Sequence, residues 1–104
     1  MDFYLGTTEQ IMQELGDRFR RQRLGQNLLQ EEVAQRAGVS VSAIKRLEAG
    51  DNVRMLTLLN VAKSLSVLRD LERTFVWRPA MTIADLERMD KSGRRVRASK
   101  KRSP

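Results

Sequence analysis

Apolar residues first recur with helical spacing at Ile11, Leu15 and Phe19, four residues apart, with Met12 beside them. That spacing predicts an amphipathic helix over about 8–25. Thr7, with Gln10 three residues on, resembles a capping box at its start. Asn27 suits a left-handed stop at its end. A second helix is expected over about 30–37 with Val33, Ala34 and Ala37 inward, ended by Gly38. Ser40 is a natural N-cap for a third, about 41–48, whose inner residues are Ile44 and Leu47. Gly50, Asp51 and Asn52 mark a turn. A fourth helix (about 55–65) presents Leu58, Leu59, Ala62 and Leu65, and a fifth (about 67–76) presents Leu68, Leu71 and Phe75. Pro79 interrupts the pattern. Thr82 with Asp85 can cap a short sixth helix carrying Ile83, Leu86 and Met89. No strand signal exceeds two or three residues, so the expected fold is all-α, followed from Lys91 by a disordered tail.

Composition narrows the chemistry. The chain has 104 residues, enough for one modest core, with neither cysteine nor histidine. Disulfides, thiolate metal sites and the commonest general base are therefore excluded. There is no phosphate-cradling glycine loop and no suggestive carboxylate pair, so neither an enzyme, a cofactor nor a metal is expected. The N-terminal MDFYLGTTEQ lacks a basic leader before an apolar run, and no apolar stretch reaches membrane-spanning length. Neither secretion nor membrane insertion is expected, and the cytoplasm is the expected compartment.

The net charge is +7, from 20 basic and 13 acidic residues, and its placement matters more than its size. Residues 1–90 hold 13 of each sign, so the whole excess lies in KSGRRVRASKKRSP, 91–104. A balanced body with a basic tail suggests a polyanionic partner, or else a solubilising tail.

Gly38 interrupts a pattern that suits helix on both sides. Two short helices joined by a three- or four-residue turn containing glycine form a helix-turn-helix. Glycine supplies the positive φ, and Ala34, four residues earlier, lets the helices cross closely. With Ile44 and Leu47 inward, Ser42, Lys45, Arg46 and Ala49 project outward. This small-and-cationic face suits a B-DNA major groove.

The stretch LLQEEVAQRAGVSVSAIKRLEAG, Leu28 to Gly50, resembles the helix-turn-helix regulators of the Cro and lambda-repressor (XRE) type. Gln30, Ala34, Gly38, Ser40, Ile44, Leu47, Glu48 and Gly50 fit that family's pattern, and the likeness extends from about Leu15 to Leu71. It implies a five-helix lambda-repressor-like DNA-binding domain over 1–76, with the helix-turn-helix at 30–48. Residues 77–90 form a C-terminal extension available for dimer or partner contact. By resemblance, Gln30 contacts phosphate. Ser40 and Val41 begin the recognition helix, and Val41, Ser42 and Arg46 read base edges with Ala43 and Lys45 beside them. Asn52 and Arg54 touch the sugar-phosphate backbone. Arg23 and Glu48 occupy positions that form a buried ion pair in some relatives. Taken alone, Arg23 also reads as a phosphate contact, and Val41 as a packing residue. Leu29 departs from the family's threonine or serine cap, which costs the second helix a capping hydrogen bond.

These readings lead to a sequence-specific regulator of transcription bound to double-stranded DNA at the nucleoid. It is expected to be a repressor and a homodimer, paired through Leu68, Leu71, Phe75, Trp77, Leu86 and Met89. The alternative is an antitoxin that autoregulates its operon and binds a partner toxin through its C-terminal part. RNA or single-strand binding through the tail is disfavoured, because stacking aromatics are nearly absent there.

Overall fold

In a computed structural model, residues 1–79, 83, 84, 87 and 88 are described. Met1–Glu72 forms one compact unit and Arg73–Pro104 a second. The first contains a 3-10 turn, Phe3–Leu5, and five helices: α1 (Thr8–Gly25), α2 (Gln30–Ala37), α3 (Val41–Glu48), α4 (Met55–Ser64) and α5 (Leu68–Glu72). The described residues contain no strand, so the fold is all-α.

The helix starts follow from side-chain chemistry. The Thr7 hydroxyl accepts from the Gln10 N–H at 3.1 Å, and Gln10 Oε1 accepts from the Thr7 N–H at 2.9 Å, which closes a capping box. Leu29 has no oxygen to offer α2, but Glu32 reaches back and accepts from the Leu29 N–H at 2.8 Å. Half of a capping box therefore survives the missing threonine or serine.

The helix ends share one backbone device. After α1, α2, α3 and α4 the chain enters the left-handed region at Asn27 (φ 57°), Gly38 (φ 70°), Gly50 (φ 82°) and Ser66 (φ 63°). Each time, the next residue's N–H bonds five residues back. These bonds are Leu28 to Arg23 at 3.1 Å, Val39 to Ala34 at 3.0 Å, Asp51 to Arg46 at 2.9 Å and Val67 to Ala62 at 2.9 Å. This is the Schellman termination, which satisfies carbonyls that the helix itself leaves open. Leu28, Val39 and Val67 then fold back onto the core.

Leu28, Val33, Ala34, Ala37, Ile44, Leu47, Val61 and Leu65 form that core, with Phe19, Val39, Val41, Val53, Leu58 and Val67 packed against it. α2 packs on α3 and α4, and α1 packs on α3. The Gln26 amide donates to the Leu65 carbonyl at 2.9 Å, which ties the end of α1 to the end of α4.

Two sequence expectations need correction. Leu59 is exposed rather than inward, and Val61 takes the buried place. At about 100° per residue, Leu58, Val61 and Leu65 align in one stripe with Ala62 at its edge, and Leu59 falls outside it. α5 ends at Glu72 rather than near 76, where the chain passes into a turn with Phe75 at φ 59°. Leu86, Met89, most of the expected sixth helix and the tail lie outside the described residues.

Candidate nucleic-acid interface

The turn before α3 depends on one backbone angle. A Cβ added at Gly38 would meet nothing within 4 Å, so glycine is needed there for its positive φ and not for space. The chain then leaves the turn through Ser40, whose hydroxyl accepts from the Ala43 N–H at 3.0 Å and starts α3.

α3 divides into two faces. Ala43, Ile44 and Leu47 are buried, and Val41 is half-buried against the core. Ser42, Lys45, Arg46 and Ala49 are exposed. At ~100° per residue these four occupy an arc of about 100° on the side opposite Ile44 and Leu47. None of the Ser42, Lys45 or Arg46 side chains has a partner among the described residues. Small side chains occupy the middle of the arc and cations its two margins.

Ala43 requires correction as a surface residue. It is 6% exposed, because its position on the helix turns it towards the core beside Leu47. Its methyl packs inward, with little of it left at the surface. Val41 is likewise committed mainly to packing.

The end of α3 is held from within. Arg23 and Glu48 have side chains only 9% and 8% exposed. Arg23 Nε donates to Glu48 Oε2 at 2.7 Å, and Arg23 Nη2 donates to Glu48 Oε1 at 3.0 Å. The remaining guanidinium nitrogen, Nη1, donates to the Leu28 carbonyl at 2.9 Å. The bond to Glu48 raises the Arg23 pKa, with burial opposing it. Gln30, half-buried at the start of α2, donates its amide N–H to Glu48 Oε1 at 3.2 Å. One bidentate pair thus joins α1, the α1–α2 loop, α2 and α3.

Beyond α3, Asn52 and Arg54 are exposed while Val53 between them packs on the core. That alternation holds both polar side chains outward on the loop leading into α4. Two other arginines of α1 pair along their own helix. Arg18 bonds Glu14 at 2.8 Å and lies 5.2 Å from the centroid of the Phe3 ring, while Arg21 bonds Asp17. The Arg18 bond lowers the Glu14 pKa.

Gly16 sets the α1–α3 spacing, although no motif in the sequence marks it. A Cβ at Gly16 would lie 2.4 Å from the Leu47 carbonyl oxygen, 2.9 Å from that of Glu48 and 2.9 Å from the Gly50 nitrogen. Gly50, for its part, sits so that a Cβ would come 2.7 Å from the Gln13 Cα. The two backbones interlock through two glycines. An isolated glycine inside a helical pattern is the available signal, since it costs stability there unless packing needs it.

The Helix-turn-helix family model matches residues 19–72, just over half of the chain. The chain belongs to this helix-turn-helix family. The matched segment runs from Phe19 in α1 to the last residue of α5, and so contains the turn, the ion pair and the exposed arc. As an XRE-type helix-turn-helix protein it is a DNA-binding regulator of transcription. No curated protein matches the chain. Among the described residues, no helix of this helix-turn-helix protein is long and apolar enough to cross a membrane.

Proposed function

We propose that the protein is a sequence-specific repressor that places α3 in the DNA major groove as a homodimer. The observation that carries this reading is the bare arc of Ser42, Lys45, Arg46 and Ala49 on a helix whose opposite face is locked into the core. A helix with side chains is about 10–12 Å across and the groove is about 12 Å wide, so this one fits. Small residues at the centre of the arc allow close approach. Arg46 pairs with a guanine edge, worth ~1–3 kcal/mol of discrimination, and Ser42 adds a sequence-tolerant hydrogen bond. Lys45, Gln30, Asn52 and Arg54 contact the sugar-phosphate backbone and set the register. Ser40 acts as the cap that starts α3, and the Arg23–Glu48 pair clamps its far end.

One such helix spans only a few base pairs, so pairing of two copies about 34 Å apart supports a useful site. Apolar surface for that pairing lies exposed on α4 and α5 at Met55, Leu56, Leu59 and Leu68. Met55, Leu56 and Leu59 extend the surface expected from the sequence. A small chain acts on transcription most simply by occupying its site, which supports repression.

Selection of bound duplexes from a random library at stated salt tests the reading. The expected product is a two-fold site with half-sites one helical turn apart. Arg46→Ala should relax one base position in each half-site and leave the others intact. A protein that binds no duplex at low ionic strength would overturn the proposal.

A further inference from the structure

Gln30 and Glu48 are joined in a way that the ion pair alone does not require. Glu48 Oε2 is satisfied by Arg23 at 2.7 Å, and Oε1 by Arg23 at 3.0 Å, yet Oε1 also accepts from the Gln30 amide at 3.2 Å. We infer that Glu48 is a positioning residue for DNA binding: it orients the Gln30 amide so that its second N–H meets a phosphate oxygen. This rests on the proposed DNA reading and adds how one backbone contact is pre-set.

The chemistry fixes the orientation. A carboxylate bound to a guanidinium only accepts, so Gln30 must turn its nitrogen inward and cannot present Oε1 to Glu48. One N–H is then committed, and the direction of the other follows from the planar amide. That second N–H and Oε1 have no partner among the described residues. Gln30 stands at the first position of α2, where the backbone N–H groups also lack intrahelical partners and an anionic ligand is favoured. A free glutamine side chain would lose rotamer entropy on binding. Held by Glu48, which Arg23 holds in turn, it is already ordered before DNA arrives.

The Glu31 and Glu32 carboxylates share this first turn, and Glu32 is committed to the Leu29 N–H at 2.8 Å. They make a loosely aimed amide a poor competitor for an anion, which gives positioning a purpose here. The ligand is a backbone phosphate and not a base edge, because the amide sits on α2 and not on the exposed arc of α3.

The test is a double-substitution cycle in the full chain with Gln30→Met, which keeps the length of the side chain, and Glu48→Gln. Affinity for one fixed duplex is measured where circular dichroism shows every variant folded. Each single change should weaken binding about five- to tenfold, and the double no more than the weaker single. Glu48→Gln should therefore matter less than about twofold once Gln30 is methionine. Losses that multiply in the double would overturn the inference and leave Glu48 holding the helices alone. So would a Gln30→Met protein with unchanged affinity, while the DNA reading stands. A parent chain that binds no duplex would overturn that reading first. If Glu48→Gln does not fold, the Gln30 side-chain amide resonances of the parent chain decide. They should shift and gain exchange protection when duplex is added, and resonances that stay put would overturn the inference.

Discussion

Gly16→Ala puts two well-characterised effects in opposition. Helix propensity alone favours alanine by about 1 kcal/mol in a helix interior. The structure places the new methyl 2.4 Å from the Leu47 carbonyl oxygen and 2.9 Å from two further backbone atoms. Relief requires α1 and the end of α3 to separate by about 1 Å, and backbone cannot swing aside as a side chain can. Overpacking of a tight interior costs about 1–3 kcal/mol, and rigid opposing atoms put this case at the upper end. After subtraction of the propensity gain, a net loss of about 2 kcal/mol remains. For a domain of this size that is a fall in Tm of about 8–16 °C. Thermal unfolding followed by circular dichroism measures it, with Gly25→Ala as the control. A Cβ at Gly25 would meet nothing within 4 Å, so that variant should match or slightly exceed the parent. The same separation displaces α3 relative to α1, so Gly16→Ala should also weaken duplex binding well below its melting temperature. A Gly16→Ala protein as stable as Gly25→Ala would refute the close approach of the two helices.

Other outcomes follow from the same geometry. Arg23→Met leaves Glu48 buried without its cation and should cost about 3–5 kcal/mol, and the double Arg23→Met, Glu48→Leu should recover most of it in urea titrations. Ser66→Gly should stabilise by up to about 1 kcal/mol, because Ser66 holds φ 63° with a Cβ, whereas Gly38→Ala should destabilise through the same conformation. Removal of residues 91–104, with their seven cations, should flatten the dependence of log affinity on log salt. Each lost phosphate contact should account for a slope of about 0.9, and an unchanged slope would take the tail off the DNA.

The sequence carried the helices well where periodicity and caps agreed. Thr7, Asn27, Gly38 and Ser40 each have a local chemical reason for their place, and the bounds of α1, α2 and α3 follow from them. The inward face of α4 was legible only in part. Leu58 and Leu59 are adjacent leucines, and only packing against α2 decides which turns in. Ala43 shows the same limit at the site: a helix eight residues long fixes its buried arc to within one residue, and tertiary contact decides the edge. Gly16 left a weaker trace, because its role depends on the Leu47 and Glu48 carbonyls some thirty residues away. The tie between Gln30 and Glu48 had no sequence signature, since each residue had a separate local explanation.

The arc on α3 owes nothing to the fold. Ser42, Lys45 and Arg46 bond no other described side chain, and stability resides in Ala43, Ile44, Leu47 and Glu48 on the same eight residues. Lettering on one side of the rod can therefore be erased and rewritten while its mounting stays untouched. A lineage, or an engineer, can change which operator this protein answers to by exchanging three or four residues as a block.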